Sequence, residues 1–128
     1  MMTENELSGV ILDAAITVHK TLGGPGVLES VYRDSLVQEL KLRGIRAEKE
    51  VRVPVMYKGV EVGDPLRVDI LVEKQIVVEC KAIEKDNPVF AAQTLTYLRL
   101  LNLHLGLLIN FGKETLVGGY RRIVNGYR

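Results

Sequence analysis

The residues best suited to chemistry in this sequence lie in one apolar hairpin. Two runs rich in valine and isoleucine are joined by Glu73-Lys74-Gln75, a pattern that predicts two antiparallel strands. Side chains alternate between the two faces of a strand, so Glu79 and Lys81 should share a face and Cys80 should point to the other. Asp69, on the first strand, can face the same side as Glu79 and Lys81.

Charged groups on an apolar hairpin point to one of two roles. Burial of a charge is costly unless the charge is paired or binds a metal ion. Two carboxylates supply the oxygen ligands that Mg²⁺ prefers, and phosphodiester hydrolysis needs such an ion to orient the phosphate and acidify a water molecule. The alternative is an ordinary cross-strand pair of Glu79 and Lys81 on a solvated face. The hairpin alone leaves both interpretations open.

Composition indicates a soluble protein with a substantial core. The 128 residues are 47% hydrophobic and 26% charged, which predicts one domain over residues 1–128. The N-terminus lacks a signal-peptide pattern, no apolar run is long enough to span a membrane, and the single cysteine excludes an internal disulfide. We therefore expect a cytoplasmic protein. The formal net charge of +1 provides no global attraction to nucleic acid.

An amphipathic helix is predicted over residues 3–22. Thr3 and Glu6 have the spacing of a capping box, and the apolar residues that follow recur with helical periodicity. His19 lies four residues after Ala15, at the edge of this apolar stripe. A histidine at such an edge is either a packed, hydrogen-bonded residue or a metal ligand.

A second helix is predicted from Val27 to Arg43, after the turn Gly23-Gly24-Pro25-Gly26. Glu29 shares a face of this helix with Tyr32, Leu36 and Leu40, at i, i+3, i+7 and i+11. One interpretation is a first-turn acid favoured by the helix dipole. The apolar neighbours favour the other interpretation, an acid held at the edge of the core.

The remaining elements predict a mixed sheet. A strand is expected from Glu48 to Tyr57, with Pro54 as the sign of an edge or a bulge. After the hairpin, Pro88 opens a third helix that reaches about residue 102 and is apolar nearly all round, so we expect it to be buried against the sheet. Two further strands are expected at 104–111 and 116–124. The order ααβββαββ predicts a mixed α/β (α+β) fold, a central mixed β-sheet flanked by helices on both faces.

Motifs outside the hairpin complete a recognisable set. The segment Gly26-Val27-Leu28-Glu29-Ser30-Val31-Tyr32 precedes the hairpin, and Gln93 and Tyr97 stand one turn apart on the helix that follows it. With Asp69 and the Glu-x-Lys of residues 79–81, they resemble the core of the PD-(D/E)XK nuclease superfamily, and more closely the bacterial family named for its GxxExxY motif. The similarity extends from about residue 11 to residue 124. It departs from the superfamily's name at residue 68, where valine replaces proline.

The resemblance implies a metal-dependent active site on the hairpin. The cofactor would be Mg²⁺ or Mn²⁺, held by the carboxylates of Asp69 and Glu79 and by the backbone carbonyl of Cys80. Lys81 would hold the attacking water or the phosphate and could lower the pKa of that water. These roles are those of a nuclease that hydrolyses phosphodiester bonds of nucleic acid by a one- or two-metal mechanism, with DNA favoured over RNA.

The resemblance also implies supporting roles for three residues outside the hairpin. Glu29 would be an outer carboxylate that reaches the metal directly or through water. Gln93 would orient the phosphate or one of the ligands. His19 is a looser candidate ligand, because it comes before the GxxExxY helix.

Contacts to partners are predicted with less detail. Nucleic-acid contacts would come from local basic groups at Lys20, Lys58, Lys85, Arg121 and Arg122. A homodimer would use the apolar strand at 105–111 or an edge near Val53. Two alternatives stay open: a catalytically silent interaction or regulatory module with the same fold, and an enzyme acting on small phosphorylated metabolites, which only the glycine-rich turn supports.

Overall fold

A five-stranded mixed sheet forms the centre of the fold, and helices cover both of its faces. The computed structural model describes residues 1–126. Its helices are α1 (Glu4–Thr21), α2 (Glu29–Leu42) and α3 (Pro88–Leu101), and its strands are β1 (Ala47–Val53), β2 (Met56–Tyr57), β3 (Val60–Glu61), β4 (Leu66–Val72), β5 (Ile76–Lys81), β6 (Leu105–Asn110) and β7 (Tyr120–Val124). The strand order in the main sheet is β1-β4-β5-β6-β7.

The connection through α3 explains the mixed character of the sheet. Strands β5 and β6 are parallel, and every other neighbouring pair in the main sheet is antiparallel. A parallel pair needs a long crossover connection, and α3 supplies it. The Asn87 side chain accepts a hydrogen bond from the Val89 N–H, and Pro88 follows as the first helical residue, so α3 begins directly after the loop that leaves β5.

The predicted fold class and the predicted order of the main elements are confirmed, with two differences in detail. The strand expected from Glu48 to Tyr57 ends at Val53, because Pro54 has no N–H to continue the ladder. The following residues form a separate two-stranded hairpin of β2 and β3. The last strand begins at Tyr120 rather than Leu116, since residues 117–119 form a 3₁₀ turn.

Each face of the sheet carries its own apolar core. The α1–α2 side contains Tyr32, Cys80 and Phe111. The Tyr32 and Phe111 rings stack with their centroids 4.6 Å apart. The α3 side contains Leu71, Val77, Leu98 and Leu108. Cys80 is fully buried on the α1–α2 side, which confirms that it points away from the face expected to carry Glu79.

Helix α3 covers the sheet with one side and faces solvent with the other. Its buried residues are Thr94 and Leu98, which confirms that α3 is buried against the sheet, whereas Val89 and Leu100 are 46% and 39% exposed. The contact with the sheet is close: a Cβ at Gly106 of β6 would lie 2.8 Å from the Thr94 methyl group. This close approach fixes the side of α3 that lies over the sheet.

Strand β6 is interior to the sheet. It pairs with β5 on one side and β7 on the other, and all six of its residues are buried. The prediction that this strand could form a dimer interface is therefore wrong, since neither of its edges is available. Among the described residues, no helix is both long and apolar enough to cross a membrane.

Candidate active site

The candidate site lies where β4 and β5 separate. The two strands pair at Ile70 with Val78, Leu71 with Val77 and Val72 with Ile76, and the pairing stops before Asp69 and Glu79. The two acids then bridge the gap. The Asp69 N–H donates to Glu79 Oε2 at 2.7 Å, and the Cys80 N–H donates to Asp69 Oδ2 at 2.8 Å. Each carboxylate thus accepts from a backbone N–H that would donate to a carbonyl oxygen of the neighbouring strand if the ladder continued.

An irregularity in β4 turns Asp69 into this gap. Val68 packs in the α3-side core, but Ile70 packs in the α1–α2 core, so the two neighbours of Asp69 face opposite sides of the sheet. Opposite Asp69 in β1, Glu50 has a positive φ of 54°, which is uncommon for a residue with a side chain. The regular alternation of side chains between the two faces of β4 is therefore interrupted at Asp69, the candidate metal ligand.

Burial and mutual repulsion make the two acids hard to ionise together. Burial raises the pKa of Glu79 to about 8, and the charge of Asp69 adds to this effect. Burial also raises the pKa of Asp69, against the lowering effects of the Cys80 N–H and of the charges of Lys81 and Arg33. Because protons compete with a cation for both carboxylates, the site should bind a cation more tightly at alkaline pH.

Lys81 lies beside the acids on the α3 side of the sheet. Its ammonium group is 4.4 Å from the centre of the Phe90 ring in α3, a cation–π contact. Its charge lowers the pKa of both Asp69 and Glu79. Among the described residues Lys81 forms no ion pair within 4 Å, so the amine is near both acids without being locked to either.

Helix α3 provides the wall of the site opposite the sheet. Phe90, Gln93 and Tyr97 recur at i, i+3 and i+7, so they lie along one side of the helix. Burial raises the pKa of Tyr97, and the charges of Glu79 and Asp69 raise it further, which places the phenol within electrostatic range of both acids. Gln93 lies between Phe90 and Tyr97 in this series and is exposed.

Helix α2 begins at the other side of the site. Glu29 is its first residue and is exposed, yet its charge contributes to the raised pKa of Glu79. One turn later, Arg33 lies 3.1 Å from Glu50 and lowers the pKa of Asp69. Arg33 was not predicted from the sequence, although its position four residues after Glu29, on the same helix face, was an available signal.

His19 lies in different surroundings. It is 5% exposed, its Nε2 is 3.0 Å from the Lys113 carbonyl oxygen, and its ring lies 6.4 Å from the Phe111 ring on the α1–α2 side. These contacts match the packed, hydrogen-bonded interpretation of this residue. The structure brings together Asp69, Glu79 and Lys81, with Glu29 and Tyr97 within electrostatic range of Glu79, but gives His19 no contact with Asp69 or Glu79. Gln93 is an exposed residue of α3 for which no contact with the acids is observed among the described residues.

The basic residues proposed for nucleic-acid contact lie in or next to different elements of the fold. Lys20, Lys58 and Lys85 are exposed, and the Lys58 amine lies 5.5 Å from the Tyr57 ring centre. Arg121 and Arg122 point to opposite faces of β7, because neighbouring residues of a strand alternate between its faces. The Arg122 guanidinium donates to Ser8 Oγ at 2.8 Å and to Asn5 Oδ1 at 3.0 Å in α1.

The donor set at the gap fits a hard divalent cation. Asp69 and Glu79 each use one carboxylate oxygen for a backbone hydrogen bond, and the second oxygen makes no hydrogen bond to the described residues. The N–H and C=O of one strand residue project to the same side, so the Cys80 carbonyl points toward the gap along with its N–H. Within residues 1–126, no three His, Cys, Asp or Glu side chains are grouped to hold a metal, so carbonyl oxygen and water would complete the set.

Comparison with known proteins assigns the family. Residues 5–123 match the model of the PD-(D/E)XK nuclease superfamily, and the chain therefore belongs to that superfamily. No curated protein and no solved structure shows a significant match to the chain. The five-stranded mixed sheet with its three helices is consistent with the fold of this superfamily.

The raised pKa of Glu79 predicts how the metal-free protein responds to pH. The folded state binds the Glu79 proton up to about pH 8, whereas the unfolded chain releases it near the ordinary value of 4.5. Between these values the folded state holds more protons, so the free energy of unfolding should fall as pH rises from about 5 to 8, by at most about 1.4 kcal/mol per pH unit. Urea unfolding in the presence of a chelator at several pH values measures this slope.

The matched variant is Glu79→Gln, whose amide oxygen can still accept the Asp69 N–H. It should flatten the dependence, while Glu84→Gln, at an exposed position, should leave it as in wild type. A wild-type protein equally stable at pH 5 and pH 8, or a Glu79→Gln protein with the wild-type slope, would contradict the assigned burial of this acid.

Proposed function

We propose that this protein is a Mg²⁺- or Mn²⁺-dependent nuclease that hydrolyses phosphodiester bonds of nucleic acid, with DNA as the preferred substrate. We also propose that it belongs to the GxxExxY group within the superfamily. The observation that carries the proposal is the meeting of Asp69 and Glu79 at the strand divergence, with the Lys81 amine beside them. Membership of the PD-(D/E)XK nuclease superfamily supports the same reaction class.

The free oxygens of Asp69 and Glu79, with the Cys80 carbonyl, would hold the cation. When bound, the cation supplies orientation of the phosphate, acidification of a water molecule and stabilisation of charge on the phosphoryl oxygens. The backbone hydrogen bonds to both acids hold the carboxylates in place before the cation arrives. This preorganisation reduces the ordering that metal binding would otherwise require.

The neighbouring side chains divide the remaining tasks. Lys81 binds the attacking water or a phosphate oxygen, and the Phe90 ring beneath its amine limits where the amine can move. Gln93 donates from its amide to the phosphate at the open side of the site. Glu29 is an outer carboxylate that orders water around the cation, which suits its exposed position within electrostatic range of Glu79.

A second candidate function is a catalytically silent interaction or regulatory module. The reciprocal hydrogen bonds favour it, because they give Asp69 and Glu79 a structural role that needs no metal. The net charge of +1 favours it as well, since strand-binding proteins commonly use strongly basic grooves. The two candidates differ in whether the folded state binds a divalent cation.

Thermal unfolding with and without metal separates these candidates. For a nuclease, Mg²⁺ or Mn²⁺ at a hundred times its dissociation constant should stabilise the fold by about 2.7 kcal/mol, and the same preparation should cleave labelled DNA faster than RNA of the same sequence. Calcium with DNA provides a binding control without turnover. No rise in midpoint at millimolar metal, together with no cleavage, would favour the silent module.

A further inference from the structure

A small crevice opens beside Lys81 on the α3 side of the sheet. Its lining includes Phe90 from α3, Leu108 and Asn110 from β6, and Arg121 from β7. The Lys81 amine and the Arg121 guanidinium are therefore the cationic groups at two sides of one depression. The proposed reaction uses Lys81 but assigns nothing to this crevice.

Strand pairing fixes the position of Arg121 relative to the acids. Glu79 of β5 is the partner of Leu108 of β6, and Leu108 is the partner of Arg121 of β7, so the three form one row across the sheet. Leu108 packs on the α3 side, and cross-strand partners share a face, so Glu79 and Arg121 also lie on that side. Neighbouring strands are about 4.8 Å apart, which puts the Arg121 backbone roughly 10 Å from that of Glu79.

The charge balance of the crevice is positive. Arg121 is exposed and forms no ion pair with the described residues. Asp86 also lines the crevice, but its carboxylate lies 3.6 Å from the Lys113 amine and accepts a hydrogen bond from Asn110 Nδ2 at 3.0 Å. Since the ion pair with Lys113 offsets the charge of Asp86, Lys81 and Arg121 give the crevice a net positive charge that suits an anion.

We propose that Arg121 binds a second phosphate group of the nucleic acid, next to the phosphate that lies at Asp69 and Glu79. This inference rests on the proposed nuclease function and adds the direction of the strand, from the acids across Leu108 toward β7. The planar guanidinium suits bidentate contact with a phosphate. Arg121 is a positioning residue, because it would touch the substrate backbone away from the reacting atoms.

The neighbouring arginine provides an internal comparison. Arg122 points to the opposite face, where its guanidinium is held by Ser8 and Asn5 of α1. It has the same charge and lies on the same strand, yet it cannot reach the crevice. An effect of net charge alone would act through both arginines, whereas a phosphate contact acts through Arg121 alone.

The test measures binding of a fluorescein-labelled DNA duplex in Ca²⁺ at several salt concentrations. Arg121→Gln should weaken binding about tenfold and reduce the slope of log affinity against log salt by about one. Arg121→Lys should recover part of the affinity. Arg46 is an exposed arginine next to β1, at the opposite edge of the sheet, so Arg46→Gln should leave the affinity and the salt slope unchanged. Arg122→Gln should also leave both unchanged in the fraction that remains folded.

Cleavage kinetics in Mg²⁺ give an independent readout. Loss of a phosphate contact made equally in the bound substrate and the transition state should raise KM about tenfold with little change in kcat. Wild type that binds DNA while Arg121→Gln retains its affinity, salt slope and KM would overturn this inference and leave the nuclease function standing. Wild type that neither binds nor cleaves nucleic acid would overturn both.

Discussion

Lys81→Ala is expected to reduce metal-dependent cleavage at least about a hundredfold while metal still stabilises the protein. The variant removes the only amine placed beside both acids among the described residues, and an electrostatic group of this kind contributes about two to three orders of magnitude to turnover. Asp69 and Glu79 stay in place, so a cation should still raise the unfolding midpoint. Single-turnover cleavage and thermal melts with and without Mn²⁺ measure both effects.

The metal-free Lys81→Ala protein should also be less stable than wild type. It loses the contact with the Phe90 ring, which is worth about 0.5–2 kcal/mol, and it loses the cation that favours ionised acids. The matched control for stability is Lys85→Ala, at an exposed lysine four residues further on, which should be as stable as wild type in the absence of metal. Cleavage that survives Lys81→Ala unchanged would identify a contaminating nuclease or exclude Lys81 from the reaction.

Asp69→Asn is expected to abolish both cleavage and the metal-dependent rise in midpoint. The amide keeps an oxygen that can accept the Cys80 N–H, so the strand divergence should stay intact. The charge that repels Glu79 is gone, so the metal-free variant should be at least as stable as wild type. The loss of metal binding would then be visible in a folded protein, by melts and by isothermal titration with Mn²⁺.

A comparison of two substitutions at position 69 isolates the hydrogen bond. Asp69→Ala relieves the same repulsion but leaves the buried Cys80 N–H without its acceptor, at a cost of about 1–3 kcal/mol. The alanine variant should therefore be less stable than the asparagine variant in the absence of metal. Equal stability of the two variants would show that the Cys80 hydrogen bond contributes nothing, and retained metal binding by Asp69→Asn would remove Asp69 from the ligand set.

Local sequence signals predicted most of the framework. The Thr3 capping box forms, with the Glu6 N–H donating to Thr3 Oγ1 at 3.1 Å, because a capping box depends on residues only three apart. The alternation that separated Cys80 from Glu79 and Lys81 is observed for the same reason. Only one side of α3 is buried although its sequence is apolar nearly all round, because composition does not reveal how much of a helix its neighbours can cover.

The site was only partly predictable. The residue types and spacing identified Asp69, Glu79 and Lys81, but not the irregularity in β4 that turns Asp69 into the gap. Arg33 and Phe90 were missed, since each meets the acids or the lysine only after α2 and α3 pack on opposite faces of the sheet. Contacts between residues distant in sequence depend on packing that no short-range pattern encodes.

The sequence by itself determined the class of fold, the set of acids and the opposed faces of Cys80 and its neighbours, because periodicity and caps are properties of adjacent residues. Only the tertiary structure decided that β4 and β5 diverge at these acids, that each acid accepts the other strand's N–H, and that the Arg122 guanidinium is held by α1. Those outcomes follow from the register of the five strands and from the packing of the helices against them, and both are properties of the packed molecule.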